Sequence, residues 1–269
     1  MARPRPAHLP NFRNPPVAET VLAIQLDRIP PLRAAHLGLL WNEFKDRFPK
    51  TEEKPPLEPV LESFPAPLSP APQIWIRPTD PFPVPRLWFL NDQGNEMIQV
   101  QPDRFISNWR KQPAEASYPH YDATIRPNFD RDFGTFLAFI ERQGLGSARV
   151  NQCEISYVNH LPAGIGWKDF GDIEKVFTFW RSGTPEAEDL RLHLRSVIKD
   201  EVGSPIGRLH VDLQPAVRVS DGSPMYVFHL TARGQIGDGV DFLDRGRESI
   251  VMAFDRLTTP EMHKIWGKY

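Results

Sequence analysis

Cysteine is almost absent from this sequence: Cys153 is the only one among 269 residues. A lone cysteine excludes an internal disulfide framework and a zinc site built from several cysteines. Cys153 stands among alternating apolar residues, a setting that favours a buried, inert thiol over a nucleophile. No Gly-x-Ser-x-Gly elbow, His-Glu-x-x-His helix or complete phosphate-binding loop is present either, so we predict no metal and no cofactor.

Long apolar runs and an excess of one charge are missing as well. No segment approaches the roughly 20 apolar residues that cross a bilayer, and no apolar stretch follows the basic residues near the N-terminus. The formal net charge is -2, so the chain as a whole does not attract nucleic acid or an anionic membrane. We expect a cytoplasmic protein that makes no membrane contact.

The order of the predicted elements is the most informative feature that is present. Apolar periodicity predicts a strand, a helix, three strands and a closing helix, once up to residue 146 and again after it. The first set covers 17–26, 37–48, 86–90, 96–101, 104–110 and 129–143; the second covers 152–160, 170–180, 190–197, 207–213, 226–232 and 242–257. This order predicts an α+β fold of two similar β-α-β-β-β-α half-domains, with antiparallel sheets backed by helices.

Proline, with 29 residues, marks the organisation of the chain. We expect an N-terminal tail over 1–16, a first half over 17–146 and a second half over 147–269. Between 49 and 85 prolines recur every few residues, which removes backbone donors and favours an extended chain. This stretch is a Pro-rich connection within the first half. Because it contains Phe64 and Trp75, we expect part of it to pack against the body of the protein.

Several short stretches are spread over nearly the whole chain. They are NPPVAE (14–19), AHLGLLW (35–41), RFPKTEE (47–53), IQVQPDRF (98–105), NQCE (151–154), YVNH (157–160), LTARG (230–234) and MHKIWG (262–267). In these stretches the chain resembles a sporadically distributed bacterial family of uncharacterised cytoplasmic proteins. The resemblance implies a compact cytoplasmic protein and supplies no catalytic residues.

Alternation in the second half places Arg and His side chains on one face of the predicted sheet. The polar residues that alternate with apolar ones on its three strands are Arg191, His193, Arg195, Arg208, His210, Asp212, His229, Thr231 and Arg233. Guanidinium groups that converge with imidazoles suit a carboxylate or a phosphate, because each Arg can donate two parallel hydrogen bonds. An antiparallel sheet with one solvated face has the same pattern without a ligand, and that simpler interpretation is favoured.

His160 and His210 are the candidate general acid/base residues. His160 ends a strand, where a side chain can reach a cleft, and it needs a carboxylate such as Glu154 or Asp212 to orient it. A histidine that caps a strand or bonds a loop carbonyl is the favoured alternative. A metal site that gathers His160 and His210 with His193, His229 and Asp212 is disfavoured, because no short ligand pair occurs.

Basic residues and aromatics interleave in the first half. The polar residues concerned are Gln99, Gln101, Arg104, Asn108 and Arg110, with Trp88, Phe105 and Trp109 nearby. Such a pattern can stack on and neutralise single-stranded nucleic acid. An ordinary amphipathic strand with core aromatics has it too, and the acidic balance of the chain favours that interpretation.

The sequence thus predicts a non-enzymatic protein-binding or adaptor protein of an accessory bacterial system, which engages a protein partner through the Pro-rich connection and the polar sheet face. One alternative is an enzyme for an anionic small molecule, with His160 or His210 as acid/base and an arginine clamp. The clamp would be Arg191, Arg195, Arg208 and Arg233. The enzyme requires these side chains to converge in one pocket. The third possibility, a single-stranded nucleic-acid binder, requires a contiguous positive stripe.

Overall fold

The computed structural model describes residues 5–65, 83–113, 116–180, 187–234 and 242–269. Its strands are β1 (Val17–Leu26), β2 (Lys50–Lys54), β3 (Arg86–Leu90), β4 (Glu96–Gln101), β5 (Arg104–Arg110), β6 (Val150–Pro162), β7 (Leu192–Lys199), β8 (Pro205–Val217) and β9 (Pro224–Gly234). Its α-helices are α1 (Ala34–Trp41), α2 (Arg126–Arg142), α3 (Ile173–Val176), α4 (Phe242–Leu257) and α5 (Pro260–Ile265). A π-helical turn, Tyr121–Ile125, precedes α2, and a 3-10 turn, Phe170–Asp172, precedes α3.

All nine strands form one antiparallel sheet in the order β2-β3-β4-β5-β1-β6-β9-β8-β7. The first strands of the two predicted halves, β1 and β6, pair antiparallel at its centre. The predicted α+β class with antiparallel pairing is confirmed, and the sheet is continuous across the two halves. No helix in the described ranges is long and apolar enough to cross a membrane.

Helices α2 and α4 pack on the same face of this sheet. On the first half, the ring of Phe105 lies 6.0 Å and 5.4 Å from the rings of Phe129 and Phe136 on α2. On the second half, α4 comes close to the sheet at Gly246, where a Cβ atom would lie 2.8 Å from Ile155 Cγ2 and 2.9 Å from Ala232 Cβ. A single hydrophobic core, which includes the buried Cys153, contains residues of both halves.

The two ends of the chain also pack together. Phe12 forms an isolated β-bridge with Lys268, and the amide of Tyr269 donates to the carbonyl of Asn11 at 3.0 Å. The buried ring of Phe12 makes an edge contact with Trp266, 6.3 Å between centroids. The final part of the predicted tail over 1–16 is therefore packed against the C-terminus.

Three elements differ from the sequence prediction. α1 ends at Trp41, but turns with i→i−3 hydrogen bonds continue its path, so Phe44 and Phe48 are still buried. The predicted helix over 170–180 is reduced to the 3-10 turn and the four residues of α3. The strand β2 lies inside the predicted connection; its sequence KTEEK has no apolar alternation, the composition of a charged edge strand.

Candidate functional site

The candidate site is the face of the sheet opposite the helices, called here the polar face. On β7, β8 and β9 the predicted side chains form cross-strand rows: His193, Asp212 and His229 in the first, Arg195, His210 and Thr231 in the second, Arg208 and Arg233 in the third. Side chains in one row point to the same side of a sheet. Arg191 lies just before β7 and is exposed.

A carboxylate from the Pro-rich connection reaches this face. Glu62 is only 7% exposed, and its two carboxylate oxygens meet the side chains of one histidine and two arginines. His210 Nε2 lies 2.7 Å from Oε1, Arg208 Nη1 donates to Oε2, and Arg233 Nη1 lies 3.5 Å from Oε1. Arg233 Nε also donates to Glu154 at 2.6 Å. The structure thus brings three of the predicted residues together around a partner that the sequence pattern did not identify.

The charge state of Glu62 follows from these neighbours. Burial alone would raise the pKa of its carboxyl group, because a charge is costly away from water. The hydrogen bond with His210 and the charges of His210, Arg208 and Arg233 outweigh burial and leave the pKa of Glu62 below its ordinary value. Glu62 is therefore an ionised carboxylate at neutral pH.

Residues 55–65, which follow β2 directly, lie across the polar face and are called here the strap. Gln101 of β4 pairs with the backbone of Leu57 in both directions: Leu57 N donates to Oε1 at 2.9 Å, and Nε2 donates to the Leu57 carbonyl at 2.8 Å. Gln25 of β1 accepts from Val60 N at 3.0 Å. Arg104 donates to the carbonyl of Glu58 at 3.1 Å.

The second end of the strap is held in the same way. Gln152 of β6 accepts from Glu62 N at 2.8 Å and donates through Nε2 to the Val60 carbonyl. Arg208 Nη2 donates to the carbonyl of Ser63 at 3.1 Å, and the Arg208 guanidinium lies 4.7 Å from the centre of the Phe64 ring. The three glutamines are each less than a tenth exposed, and each accepts a hydrogen bond from a strap amide, whereas the Gln25 NH2 group donates to Asn151.

These contacts constitute a way of recognising an extended peptide. Glutamine amides donate to and accept from the backbone and so do not distinguish side chains, whereas Arg208, His210 and Arg233 select a carboxylate. Prolines at 55, 56, 59 and 65 favour an extended strap, which reduces the conformational entropy lost on docking. The face can thus hold an extended, acidic, proline-containing segment.

The remaining polar-face histidines form local pairs. His193 Nδ1 lies 2.6 Å from Asp212 Oδ1 near the outer edge of the sheet. His229 Nε2 lies 3.1 Å from Thr231 Oγ1, which is 2.7 Å from Ser156 Oγ. Burial lowers the pKa of His229, which favours its neutral form at pH 7.

His160 lies away from these groups, in a groove of about 930 Å³ at the end of the sheet. Burial lowers its pKa, and the charge of Glu19 only partly opposes this. The two carboxylates expected to orient His160 are engaged elsewhere, Glu154 with Arg233 and Asp212 with His193. The structure therefore does not assemble the predicted acid/base pair at His160.

The predicted arginine clamp is divided. Arg208 and Arg233 converge on Glu62, but Arg191 and Arg195 are exposed on the outer edge of the sheet. Their separation follows from the register, because Arg195 is opposite His210 and one row away from Arg208. An enclosed four-arginine pocket is not formed.

The aromatics of the first half are likewise split between faces. Trp88 is on the polar face, where Lys54, Arg86 and Arg110 lie 4.7, 5.5 and 5.4 Å from the centre of its ring. Phe105 and Trp109 are buried in the core on the helical side. They are not available to stack on nucleic-acid bases.

Metal-binding groups and similarity to known proteins are two further sources of evidence on function. Over the ranges that the structure describes, no group of three or more His, Cys, Asp or Glu side chains could hold a metal ion. The chain matches no protein-family model, no curated protein and no solved structure. The functional argument therefore depends on the geometry of the polar face.

Proposed function

We propose that this chain is a non-enzymatic protein-binding protein, an adaptor of an accessory bacterial system, whose polar face binds an extended acidic peptide of a partner. The observation that carries the proposal is the strap: a proline-containing segment already lies on the face, held by three glutamine amides and by a carboxylate among cations. In this proposal residues 55–65 occupy the site in the absence of the partner. The partner's segment replaces them.

The chemistry of the site defines the peptide. Its backbone must be extended and must present N–H groups to Gln25, Gln101 and Gln152 and C=O groups to Gln101 and Gln152. One carboxylate must reach Arg208 and His210, where charge-assisted hydrogen bonds are stronger than neutral ones. An enzyme acting on an anion has less support, because Glu154 and Glu62 already neutralise the arginines that such an anion would need.

The family resemblance, the cytoplasmic location and the duplicated origin are parts of the same proposal. Outward from β1 and β6, the strand orders β5-β4-β3 and β9-β8-β7 correspond, as duplication of one unit would produce. The first strand of each unit lies at the centre and its last strand pairs with the first. This correspondence supports a common origin for the two halves.

Binding of a synthetic strap peptide tests the function. The peptide PPLEPVLESFP, residues 55–65, carries a fluorophore, and its anisotropy is measured with the Glu62→Gln protein, in which the resident strap is weakened. We expect saturable binding that is about tenfold or more tighter than for the same peptide with Gln at the Glu62 position, since a hydrogen bond to a charged group contributes roughly 1.5–3 kcal/mol.

The wild-type protein is the matched control. Its intact strap competes at a high effective concentration, so it should bind the peptide more weakly than the variant. Equal affinities for the Glu and Gln peptides, or no binding to either protein, would contradict the proposal.

A further inference from the structure

A second site lies on the helical side of the sheet, away from the strap. It is a small cavity of about 60 Å³ lined by the N-terminal segment, the loop before α2, β6 and α4. Its polar lining includes Arg5, Tyr118, His120, Tyr157 and Arg247. A cavity volume of about 10–15 Å³ accommodates one water molecule, so this cavity has room for a ligand of a few non-hydrogen atoms.

Positive charge exceeds negative charge at this cavity. Arg247 is 3% exposed and donates through Nη2 to Asp122 at 2.9 Å; Arg5 Nη1 lies 3.6 Å from the same carboxylate. Within the described ranges, Asp122 is the only carboxylate paired with either guanidinium. Two cations therefore share one anion. Burial and the neighbouring charge of Arg247 lower the pKa of Arg5, although Asp122 opposes this.

The described residues at this cavity also include buried hydrogen-bond donors that lack an acceptor. Among the described residues, Nε of Arg247 and Nε of Arg5 are buried and find no hydrogen-bond partner. The hydroxyls of Tyr118 and Tyr157 lie 2.9 Å apart, so only one of their two protons can lie between the oxygens. Burial raises the pKa of both tyrosines, which keeps both hydroxyls protonated at neutral pH. Such buried donors require an acceptor.

The backbone at the edge of the cavity is strained. His120 has φ 61° and ψ 140°, a conformation that residues other than glycine rarely adopt. The π-helical turn Tyr121–Ile125 follows it directly. Both features concentrate at functional sites, where the surrounding fold maintains them.

Part of the cavity lining is apolar and is called here the apolar wall. It consists of Phe12, Val17, Ile250, Val251 and Phe254. A ligand there needs an anionic end toward the two arginines and a hydrocarbon end toward this wall. Inorganic anions satisfy only the first requirement.

We propose that this cavity binds a small aliphatic monocarboxylate, with its oxygens on Arg247, Arg5 and the tyrosine hydroxyls and its hydrocarbon chain against the apolar wall. One negative charge balances the excess positive charge, and two carboxylate oxygens provide the acceptors that the buried donors lack. This site is independent of the strap and of peptide binding.

Titration with sodium butyrate tests the proposal. Backbone amide chemical shifts of the full-length protein are followed by NMR, with sodium chloride at equal ionic strength and uncharged butyramide as references. We expect saturable shifts at Tyr118, His120 and Arg247 in the millimolar range, and binding of butyramide at least tenfold weaker. The shifts should not extend to Glu62 on the polar face.

Two variants and one matched control complete the experiment. Arg247→Lys keeps the charge but removes the Nε donor and should weaken butyrate binding about tenfold or more; Val251→Phe fills the apolar end and should abolish it. Arg256→Lys, on an exposed position of the same helix, should leave it unchanged. If Arg247→Lys does not fold, the wild-type titration and the Val251→Phe variant still test whether the cavity binds butyrate.

Three results would overturn the proposal: no saturable shift at the cavity, butyramide binding as tightly as butyrate, or inorganic phosphate binding in place of butyrate. The first removes the site. The second removes the role of the arginines, and the third shows that the site takes an inorganic anion.

Discussion

At the residue scale, Glu62 is the group on which the polar face depends. Arg208, to which it is bound, lies 146 residues away along the chain and is 5% exposed. The sequence could indicate Arg208, His210 and Arg233, because period-two alternation is a local signal. It could not indicate Glu62, because nothing local shows where a Pro-rich segment docks. Gln25 and Gln152 were missed, and Gln101 was considered only for nucleic-acid binding, because a buried glutamine has no pattern that shows which backbone it bonds.

Replacing Glu62 should therefore be costly. Glu62→Gln preserves the size of the side chain but leaves Arg208 buried without its anion, and breaking a buried pair in this way costs about 3 kcal/mol. The free energy of unfolding, measured by urea denaturation, should fall by roughly that amount. Glu58→Gln is the matched control: Glu58 is an exposed strap residue whose carbonyl, not its side chain, contacts Arg104, so a change within about 0.5 kcal/mol is expected. Equal effects of the two substitutions would contradict the role of Glu62.

The depressed pKa of Glu62 also makes the strap pH-dependent. A carboxyl whose folded pKa is below its unfolded value contributes stability above the unfolded value, here 4.5, and loses it as the pH falls through the folded value. The difference in unfolding free energy between wild type and Glu62→Gln should thus shrink as the pH falls below about 4.5. Denaturation curves of both proteins across this range measure it. A difference that grows on acidification would be the opposite of this expectation.

At the scale of elements, patterns among neighbouring residues predict the bounds of strands and helices. Contacts between residues far apart in the chain cannot be predicted from such patterns. Five elements have the predicted bounds: β1, β3, β4, β5 and α4. Alternation, a Gly-containing turn and helical spacing are patterns of residues close together in the sequence, so they can be recognised there. β2 was missed because its charged sequence has no apolar side. The docking of α4 on the sheet was equally hidden, since only the structure shows that Gly246 lies against Ile155 and Ala232.

Two helical glycines provide a matched test of that packing. Around Gly134, on the outer side of α2, the space that a Cβ atom would take has no neighbouring atom within 4 Å, so Gly134→Ala should stabilise the protein by about 0.5–1 kcal/mol. Gly246→Ala gains the same helical preference but pushes a methyl group into the sheet and should destabilise by about 1–3 kcal/mol. Chemical denaturation distinguishes the signs. Stabilisation by both substitutions would show that α4 can move away from β6 and β9.

At the scale of the whole molecule, the two predicted halves share one sheet and one core. β1 and β6 pair along nearly their full lengths, and the hydrophobic core contains residues from both sides of this pair. The sequence predicted the class and the order of elements, but it left open how the sheets join. That choice depends on the pairing of strands about 130 residues apart, which alternation alone does not encode.

The shared core predicts cooperative unfolding. Heating should give a single transition that coincides when followed by far-ultraviolet circular dichroism and by tryptophan fluorescence. Phe12→Ala, which removes a buried ring between the chain ends, should lower the midpoint of that one transition, since such a truncation costs about 3–5 kcal/mol. Two separable transitions, with only one shifted by Phe12→Ala, would mean that the halves unfold independently.

The central claim is that the polar face recognises an extended acidic peptide. The most direct test is NMR mapping of the strap peptide PPLEPVLESFP on the Glu62→Gln protein, observing the side-chain amides of Gln25, Gln101 and Gln152. The account predicts saturable shifts of these three amides with the Glu-containing peptide and much smaller shifts with the Gln-containing peptide. Shifts confined to the groove around His160, or no shifts at the three glutamines, would contradict it.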